Sequence, residues 1–356
     1  MLTGMKLPAR TAGVLCGLSL CCILVAGLWP FGSPSNDVTW IADHSAVRFG
    51  RHGTILSSSS LFSDNLGSCS VEIWLRPSFS DGSGTLLGFY NSSGAVGLSL
   101  HQSISDLRLD REVSRERPAK MYVGDVFSAG KLVFLTIVSG PRGTNVYLNG
   151  SQVQQVSDFK SSSPCSGRFV VGDSPKEQDT WEGEFDGLAI YRDELTPEQV
   201  LLNYQSWSNA GRPSESGSGA LAALYLFDER GGRLIRDHGT SGVNLSIPER
   251  YMVIQETLYE SPWSAFQATR GWVKDVLINV TGFVPFGFTL SAFLWCSGWK
   301  RADIFAVLGG LFVSLTIEGL QAYLPTRDSD LTDVLTNTLG TWFGVILYRQ
   351  WVRWLE

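Results

Sequence analysis

The chain lacks the features that would mark a nucleic-acid binder or a familiar hydrolase. Its 356 residues hold 28 Lys and Arg against 34 Asp and Glu, a formal net charge of −6. There is no basic stripe to neutralise phosphates, so nucleic acid is excluded as a partner on electrostatic grounds. Histidine is scarce: the four residues His44, His52, His101 and His238 form no cluster along the chain. No Ser/His/Asp set and no phosphate-binding loop is visible either. Cysteine is sparse as well. Cys16, Cys21, Cys22 and Cys296 sit in apolar runs, where a thiol is a small packing residue, and no spacing matches a zinc site. Cys69 and Cys165 lie in a region predicted to face an oxidising compartment; a bridge is allowed there, and unpaired thiols equally so.

A processing site is missing too. Lys6 and Arg10 precede "TAGVLCGLSLCCILVAGLWPF" (Thr11–Phe31), about 20 uncharged residues, enough to cross a bilayer. No A-x-A-like cleavage pattern follows. Leu15, Leu20 and Cys21 also stand where a lipoprotein signal needs a small residue. An uncleaved anchor with a cytoplasmic N-terminus is therefore predicted over a cleaved signal peptide.

What is present is a strong partition, hidden by averages of 44% hydrophobic and 17% charged residues. Residues 32–262 are Ser- and Gly-rich with ordinary charge, whereas 11–31 and 276–352 are apolar. The organisation predicted is an N-terminal tip and anchor (1–31), an extracytoplasmic domain (38–250), a linker (251–274) and a membrane domain (275–352). Three C-terminal spans are expected near 276–299, 304–324 and 331–351, giving four in all. Lys300, Arg301, Arg349 and Arg353 then fall inside, with both termini cytoplasmic; Arg270 and Lys274 count against this orientation.

The outer region alternates apolar and polar residues in short runs such as "CSVEIWLRP", "KLVFLTIVSG" and "EFDGLAIYRD", with turn residues between. That pattern predicts a two-sheet antiparallel sandwich. Asn149-Gly150 marks a tight hairpin. "LTPEQVLLNY" marks a short helix capped by Thr196, with Pro197 and Glu198 in its first turn.

The order "SVEIWLRPS", "KLVFLTIVSGPRGTNVYLNGSQV" and "GEFDGLAIYRDELTPEQV" resembles the laminin G-like, concanavalin A-like jellyroll family over residues 40–205. One departure is that Leu221–Pro248, which looks like the opening strand pair of such domains, follows the closing motif. A permuted order within one sandwich is inferred. The resemblance implies glycan or protein binding, and in some members calcium held by aspartates, for which Asp186 and Asp237 are the candidates here. Both aspartates also suit turns that hydrogen-bond their own backbone. The related glucanases carry Glu-x-Asp-x-Glu on one strand face; "GEFDGLAI" lacks the last carboxylate, so glycosidase chemistry is not expected.

Polar residues gather near the membrane region. Glu318 is predicted about six residues, roughly 9 Å, below the outer end of its span, with Gln321 one turn further out. Asp330, Asp333 and Asn337 fall at i, i+3 and i+7, and Asn279 lies in the outer part of the preceding span. Arg327 is the nearest cation and would clamp Glu318 or Asp333. Pro285 is expected to break its helix near the middle, and Gly340 and Gly344 to admit a neighbouring helix closely. Two readings stand: a polar network pinning helices together, or a pocket opening outward for a charged or hydroxylated headgroup.

The same residues, "NVTGFVPFGF" and "EGLQAYLPTRDSDLTDVLTNTLGTWFG", resemble the VanZ-like family of small bacterial membrane proteins. Matching positions are Asn279, Pro285, Gly287, Glu318, Gln321, Pro325, Arg327, Asp333, Asn337 and Gly340. The resemblance implies a bacterial envelope protein, and its founding members are associated with low-level resistance to glycopeptide antibiotics such as teicoplanin. It supplies a location and a phenotype class, not a reaction, and fusion to a large jellyroll departs from the simplest members. The expectation is thus a multidomain inner-membrane protein, an all-β concanavalin A-like jellyroll plus an α-helical transmembrane bundle. Its partners would be the membrane and a glycan, a lipid-linked headgroup or an envelope protein. No cofactor beyond calcium in the jellyroll is expected. Alternatives are an intramembrane enzyme with Glu318 or Asp333 as acid or base, and a structural anchor displaying an adhesion module. The enzyme reading rests on carboxylates alone and stays second.

Overall fold

The computed structural model describes residues 8–62, 67–91, 96–111, 119–160, 163–176, 178–214, 220–254, 258, 270–327 and 329–355. The N-terminal tip with Lys6, most of the 251–274 linker and Asp328 lie outside these residues. Two compact units are present: Pro34–Gln255 forms one, and Met1–Ser33 with Glu256–Glu356 the other.

In chain order the elements begin with helix α1 (Ala9–Leu28) and strands β1 (Val38–Trp40), β2 (Val47–Phe49), β3 (Ile55–Ser57) and β4 (Cys69–Pro77). Then come β5 (Ser83–Tyr90), β6 (Val96–Ser103), β7 (Asp106–Arg111), β8 (Ala119–Val123), β9 (Val133–Gly140), β10 (Gly143–Leu148) and β11 (Ser151–Val156). They are followed by β12 (Arg168–Val171), β13 (Gly183–Tyr191), helix α2 (Pro197–Ala210), β14 (Leu221–Tyr225), β15 (Leu234–Ile235) and β16 (Leu245–Ser246). Helices α3 (Arg270–Cys296), α4 (Ala302–Gln321) and α5 (Leu331–Leu355) close the chain.

The strands build two antiparallel sheets. One runs β1-β2-β13-β4-β9-β10-β11 with β14 also on β13; the other runs β15-β16-β3-β12-β5-β6-β7-β8. Period-two alternation aims one face of each sheet inward. In β7, Leu107 and Leu109 enter the core while Arg108 and Asp110 point away from it. The segment after α2 completes this same sandwich: β14 pairs Leu188–Tyr191 of β13, and β16 pairs β3 in the opposite sheet. A disulfide joins Cys69, at the start of β4 in one sheet, to Cys165, just ahead of β12 in the other, with their Cα atoms 6.1 Å apart. That separation lies within the usual Cα span of a disulfide. Asn149 and Gly150, both at positive φ, turn β10 into β11.

Where α2 covers it the first sheet is buried on both faces, which explains why β9 is buried throughout. Phe134, Val138, Tyr147 and Tyr191 pack outside it under α2, whose Val200 and Trp207 are buried. Burying two such side chains contributes roughly 3–6 kcal/mol. The helix starts where a capping box forms: Gln199 N–H donates to the Thr196 hydroxyl (3.3 Å), and Thr196 N–H to the Gln199 side chain (2.8 Å). Beneath α2 the sheet buries Glu72 completely. Its carboxylate accepts from Tyr191 Oη (2.7 Å), Asn203 Nδ2 (2.9 Å) and Trp207 Nε1 (3.1 Å). Loss of hydration outweighs these bonds and pushes its pKa up to about 7.

In the helical unit, α3 and α5 meet backbone to backbone. A Cβ at Gly340 would strike the carbonyl of Val280, one at Gly344 that of Val284, and one at Gly287 that of Thr341. Close approach of small residues is how helices associate where no hydrophobic effect separates helix from surroundings. Three expectations are corrected. Helix α3 runs unbroken through Pro285; proline removes one backbone bond, and packing against neighbours holds the remaining turns. Helix α4 ends at Gln321, because Pro325 disfavours helical geometry just before it; Glu318 therefore sits in the last turn rather than two turns inside. Finally, among the described residues three helices, α1, α3 and α4, are long and apolar enough to cross a membrane, where the sequence predicts four. At 25 residues α5 has the length, but Thr332, Asp333, Thr336, Asn337, Thr338 and Thr341 make its first half polar.

Candidate functional site

The polar residues of the helical unit surround one cavity of about 550 Å³. Its floor and walls come from four elements: Ile23, Ala26 and Gly27 of α1, Asn279 and Phe283 of α3, Glu318 and Gln321 of α4, and Asp333 and Asn337 of α5. Glu318 is 1% exposed, and its Oε2 accepts the backbone N–H of Asp330 at 2.9 Å. Asp330 does not extend the α5 stripe; it precedes the helix, and its Oδ1 accepts the N–H of Thr332 at 2.7 Å, satisfying one open donor of the first turn. Asp333 is hydrogen-bonded by Asn279 across to α3. Asn337 donates from Nδ2 to Ser314 Oγ of α4 at 2.9 Å. Asn279, Glu318, Gln321, Arg327, Asp330, Asp333 and Asn337, far apart in the chain, thus line one hollow.

Arg327 corrects the expected clamp. Its Nη2 donates to the Trp29 carbonyl at 2.6 Å and to that of Ala26 at 3.4 Å, and its Nε to Trp29 at 3.1 Å. Gln321 Nε2 adds a bond to the Gly27 carbonyl at 2.8 Å. The physical reason is the unsatisfied carbonyls and partial negative charge at the C-terminal end of α1, which attract donors and cations. No ion pair from Arg327 to Glu318 or Asp333 is found among the described residues. At the opposite end of α4, Asp303 accepts from Ser291 Oγ (3.1 Å), Trp295 Nε1 (3.2 Å) and Arg349 Nε (2.6 Å), tying three helices together.

In the β unit the two calcium candidates fare differently from a metal site. Both oxygens of Asp237 are occupied: Leu224 N–H and Gly239 N–H donate to Oδ1, Ser241 Oγ and Gly242 N–H to Oδ2. Asp186 lies 3.3 Å from His44 Nε2 with Arg76 in electrostatic reach, and burial raises its pKa to about 6. Calcium takes roughly six to eight oxygens, and neither surrounding fits it. The structure instead brings together groups that linear spacing hides. Asp228, Glu229 and His238 place ligand atoms within 4.8 Å of one another. His101 stands between Ser99 Oγ (2.8 Å from Nε2) and Asp179 Oδ2 (3.3 Å from Nδ1), with Thr85 Oγ1 also 2.8 Å from Nδ1. Ser99-x-His101 on one strand face was the available signal; Asp179 had none. His101, Arg108 and Tyr122 are cross-strand neighbours on the non-core face of β6, β7 and β8, and Tyr122 is half exposed.

Comparison with known proteins follows this division. The concanavalin A-like lectin/glucanases superfamily model matches residues 49–201, and the VanZ/LLP1 model residues 220–353. Protein VanZ of Enterococcus faecium is 33% identical over 94 residues, which is 26% of this chain and 53% of that protein. The chain thus spans about half the length of the curated relative it matches. Among solved structures, a Bacteroides ovatus protein described as carbohydrate binding is 12% identical, with a TM-score of 0.40 over 60% of this chain and 58% of its own. A heptameric SAP-like pentraxin from Limulus polyphemus is 16% identical, with a TM-score of 0.40 over 60% of this chain and 95% of its own. The polypeptide therefore joins a concanavalin A-like jellyroll to a VanZ-like region, and the VanZ/LLP1 match begins at Ala220, within the sandwich.

Proposed function

We propose that this is a bacterial inner-membrane envelope protein whose helical unit holds a headgroup-sized ligand in the outer leaflet while its jellyroll engages a glycan outside. The observation that carries the reading is the cavity of about 550 Å³ ringed by Glu318, Asp330 and Asp333, a volume in the range of small-molecule sites. Carboxylates at membrane depth are costly and are retained where they face a cavity or pathway. In this reading α5 crosses the membrane with α1, α3 and α4, its polar half turned to the cavity. Both termini are cytoplasmic, and the role lies in envelope polysaccharide handling or glycopeptide resistance. For the jellyroll, the half-exposed Tyr122 beside Arg108 supports sugar binding, a ring face next to hydrogen-bonding groups.

Glu318→Gln and Asp333→Asn separate ligand site from scaffold. Normal membrane levels with a lost envelope phenotype support the site; a collapse in protein level shows that the carboxylates only hold helices together. Orientation is tested by impermeant maleimide on whole cells. A cysteine at the exposed Tyr323 is expected to react from outside and one at Lys300 to be protected; the reverse pattern overturns the topology.

A further inference from the structure

The chemistry lining the cavity specifies more than a generic polar ligand. Among the described residues four carboxylates, Asp275, Glu318, Asp330 and Asp333, line it against one cation, Arg327; that guanidinium hydrogen-bonds the carbonyls of Trp29 and Ala26 and reaches Asp333 only from a distance. Two further groups lining it are buried amides with an acceptor to spare. Gln321 is 7% exposed and Asn337 5%. Each donates an N–H elsewhere, Gln321 to Gly27 O and Asn337 to Ser314 Oγ, and leaves its side-chain carbonyl oxygen without a hydrogen-bond partner. An unpaired buried carbonyl is costly, and a ligand that donates to it relieves the cost. The surroundings therefore offer acceptors and negative charge, and call for a ligand with donors and positive charge.

A bare metal ion and an organic cation remain, and two observations separate them. Among the described residues, the group of Asp, Glu and His side chains that reaches metal-ligand spacing is Asp228, Glu229 and His238, in the other unit; the cavity's carboxylates do not converge that tightly. The hollow, about 550 Å³, also far exceeds one water's share of roughly 30 Å³ and suits an organic group. Trp272 and Phe283 line it as well, and aromatic faces attract organic cations. We propose that the cavity receives a protonated amine, its ammonium seated among Glu318, Asp330 and Asp333 and donating to the free carbonyls of Gln321 and Asn337. This rests on the reading of the cavity as a ligand site. The amine belongs to a lipid headgroup or to a soluble molecule, two sources of the same chemistry.

The test uses the full-length protein in neutral detergent, with binding read by native mass spectrometry and thermal shift. The probes are phosphatidylethanolamine, its N-acetylated analogue, phosphatidylglycerol and free ethanolamine. Loss of the ligand's charged hydrogen-bond donor weakens such binding by about tenfold or more, so phosphatidylethanolamine is expected to exceed its N-acetylated form and phosphatidylglycerol by that margin. Asp333→Asn is expected to remove the preference. Asp275→Asn, at an exposed position of α3, should weaken it by a smaller factor and keeps the test valid if the first variant fails to fold. Binding of free ethanolamine with the same sensitivity, and of no lipid, assigns the soluble source. Equal binding of phosphatidylglycerol or the N-acetylated lipid, still lost in Asp333→Asn, overturns the ammonium inference and leaves the ligand site standing. Binding of none of the four overturns both.

Discussion

Replacing Glu72 with glutamine should flatten the pH dependence of the jellyroll's stability. The carboxyl is fully buried under α2, and loss of hydration lifts its pKa from 4.5 to about 7. Between these values the unfolded chain carries Glu72 ionised while the folded domain keeps it protonated, so the folded state binds the extra proton. Stability from this residue is therefore highest below about pH 4.5, falls as pH rises towards about 7, and is level above that. A shift of about 2.5 units at 1.36 kcal/mol per unit makes the fall about 3 kcal/mol. Asp173 and Asp186, raised to about 7 and about 6 by burial, add slopes of the same sign that remain in the variant. The quantity to measure is thus the difference between wild type and Glu72→Gln in urea unfolding free energy, taken near pH 4.5 and near pH 8. The variant should lose about 3 kcal/mol of pH dependence while retaining α2, because glutamine still accepts from Tyr191, Asn203 or Trp207. Parallel curves for the two proteins would show that Glu72 does not titrate in this window. A variant several kcal/mol weaker near pH 8 would show that the ionised carboxylate's three hydrogen bonds outweigh its desolvation.

Gly344→Val should abolish assembly of the helical unit, because its Cβ would meet the Val284 carbonyl, whereas Gly282→Ala has open space and should be neutral; detergent size-exclusion profiles report both. Paired Cys69→Ser and Cys165→Ser substitutions open a loop of 96 residues and should cost about 4–5 kcal/mol by chain entropy. An equal shift of the denaturation midpoint on adding reductant to the wild type confirms it. Arg327→Gln should loosen α1 from the helical unit by about 1–3 kcal/mol, seen as a lower melting temperature, while leaving Asp330 bonded to Glu318.

Most of the jellyroll was legible because its signals are local. Alternation marks strands such as β4, Asn149-Gly150 marks a hairpin, and Thr196-Pro197-Glu198 marks the start of α2. The place of Leu221–Tyr225 was also readable, since an opening strand pair found after a closing motif has one sandwich to join, and β14 does pair β13. What stayed hidden depends on contacts across long separations. Glu72 sits in an apolar run, and nothing nearby announces that Asn203 and Trp207 will donate to it from a helix more than a hundred residues away. His101 likewise gains Asp179 from a loop 78 residues on.

The cavity shows the same limit with a functional consequence. Hydropathy and spacing bring Glu318, Asp333 and Asn337 to one end of the helices, and electrostatics alone would hand them Arg327, the nearest cation along the chain. Linear spacing leaves out α1, some 300 residues earlier, whose final turn ends beside them. Helix ends expose carbonyls that must find donors, and the α1 carbonyls of Ala26 and Gly27, with that of Trp29 just beyond, take those of Arg327 and Gln321. That choice keeps the one cation lining the cavity among the described residues from pairing directly with the carboxylates, although it still acts on Asp333 from a distance. A direct pair would have offset one of the four carboxylate charges and left the site acidic all the same; held on the carbonyls at the end of α1, the guanidinium acts on them only from a distance. The N-terminal helix, by drawing the arginine to its own carbonyls, thereby leaves the carboxylates freer for the proposed ammonium.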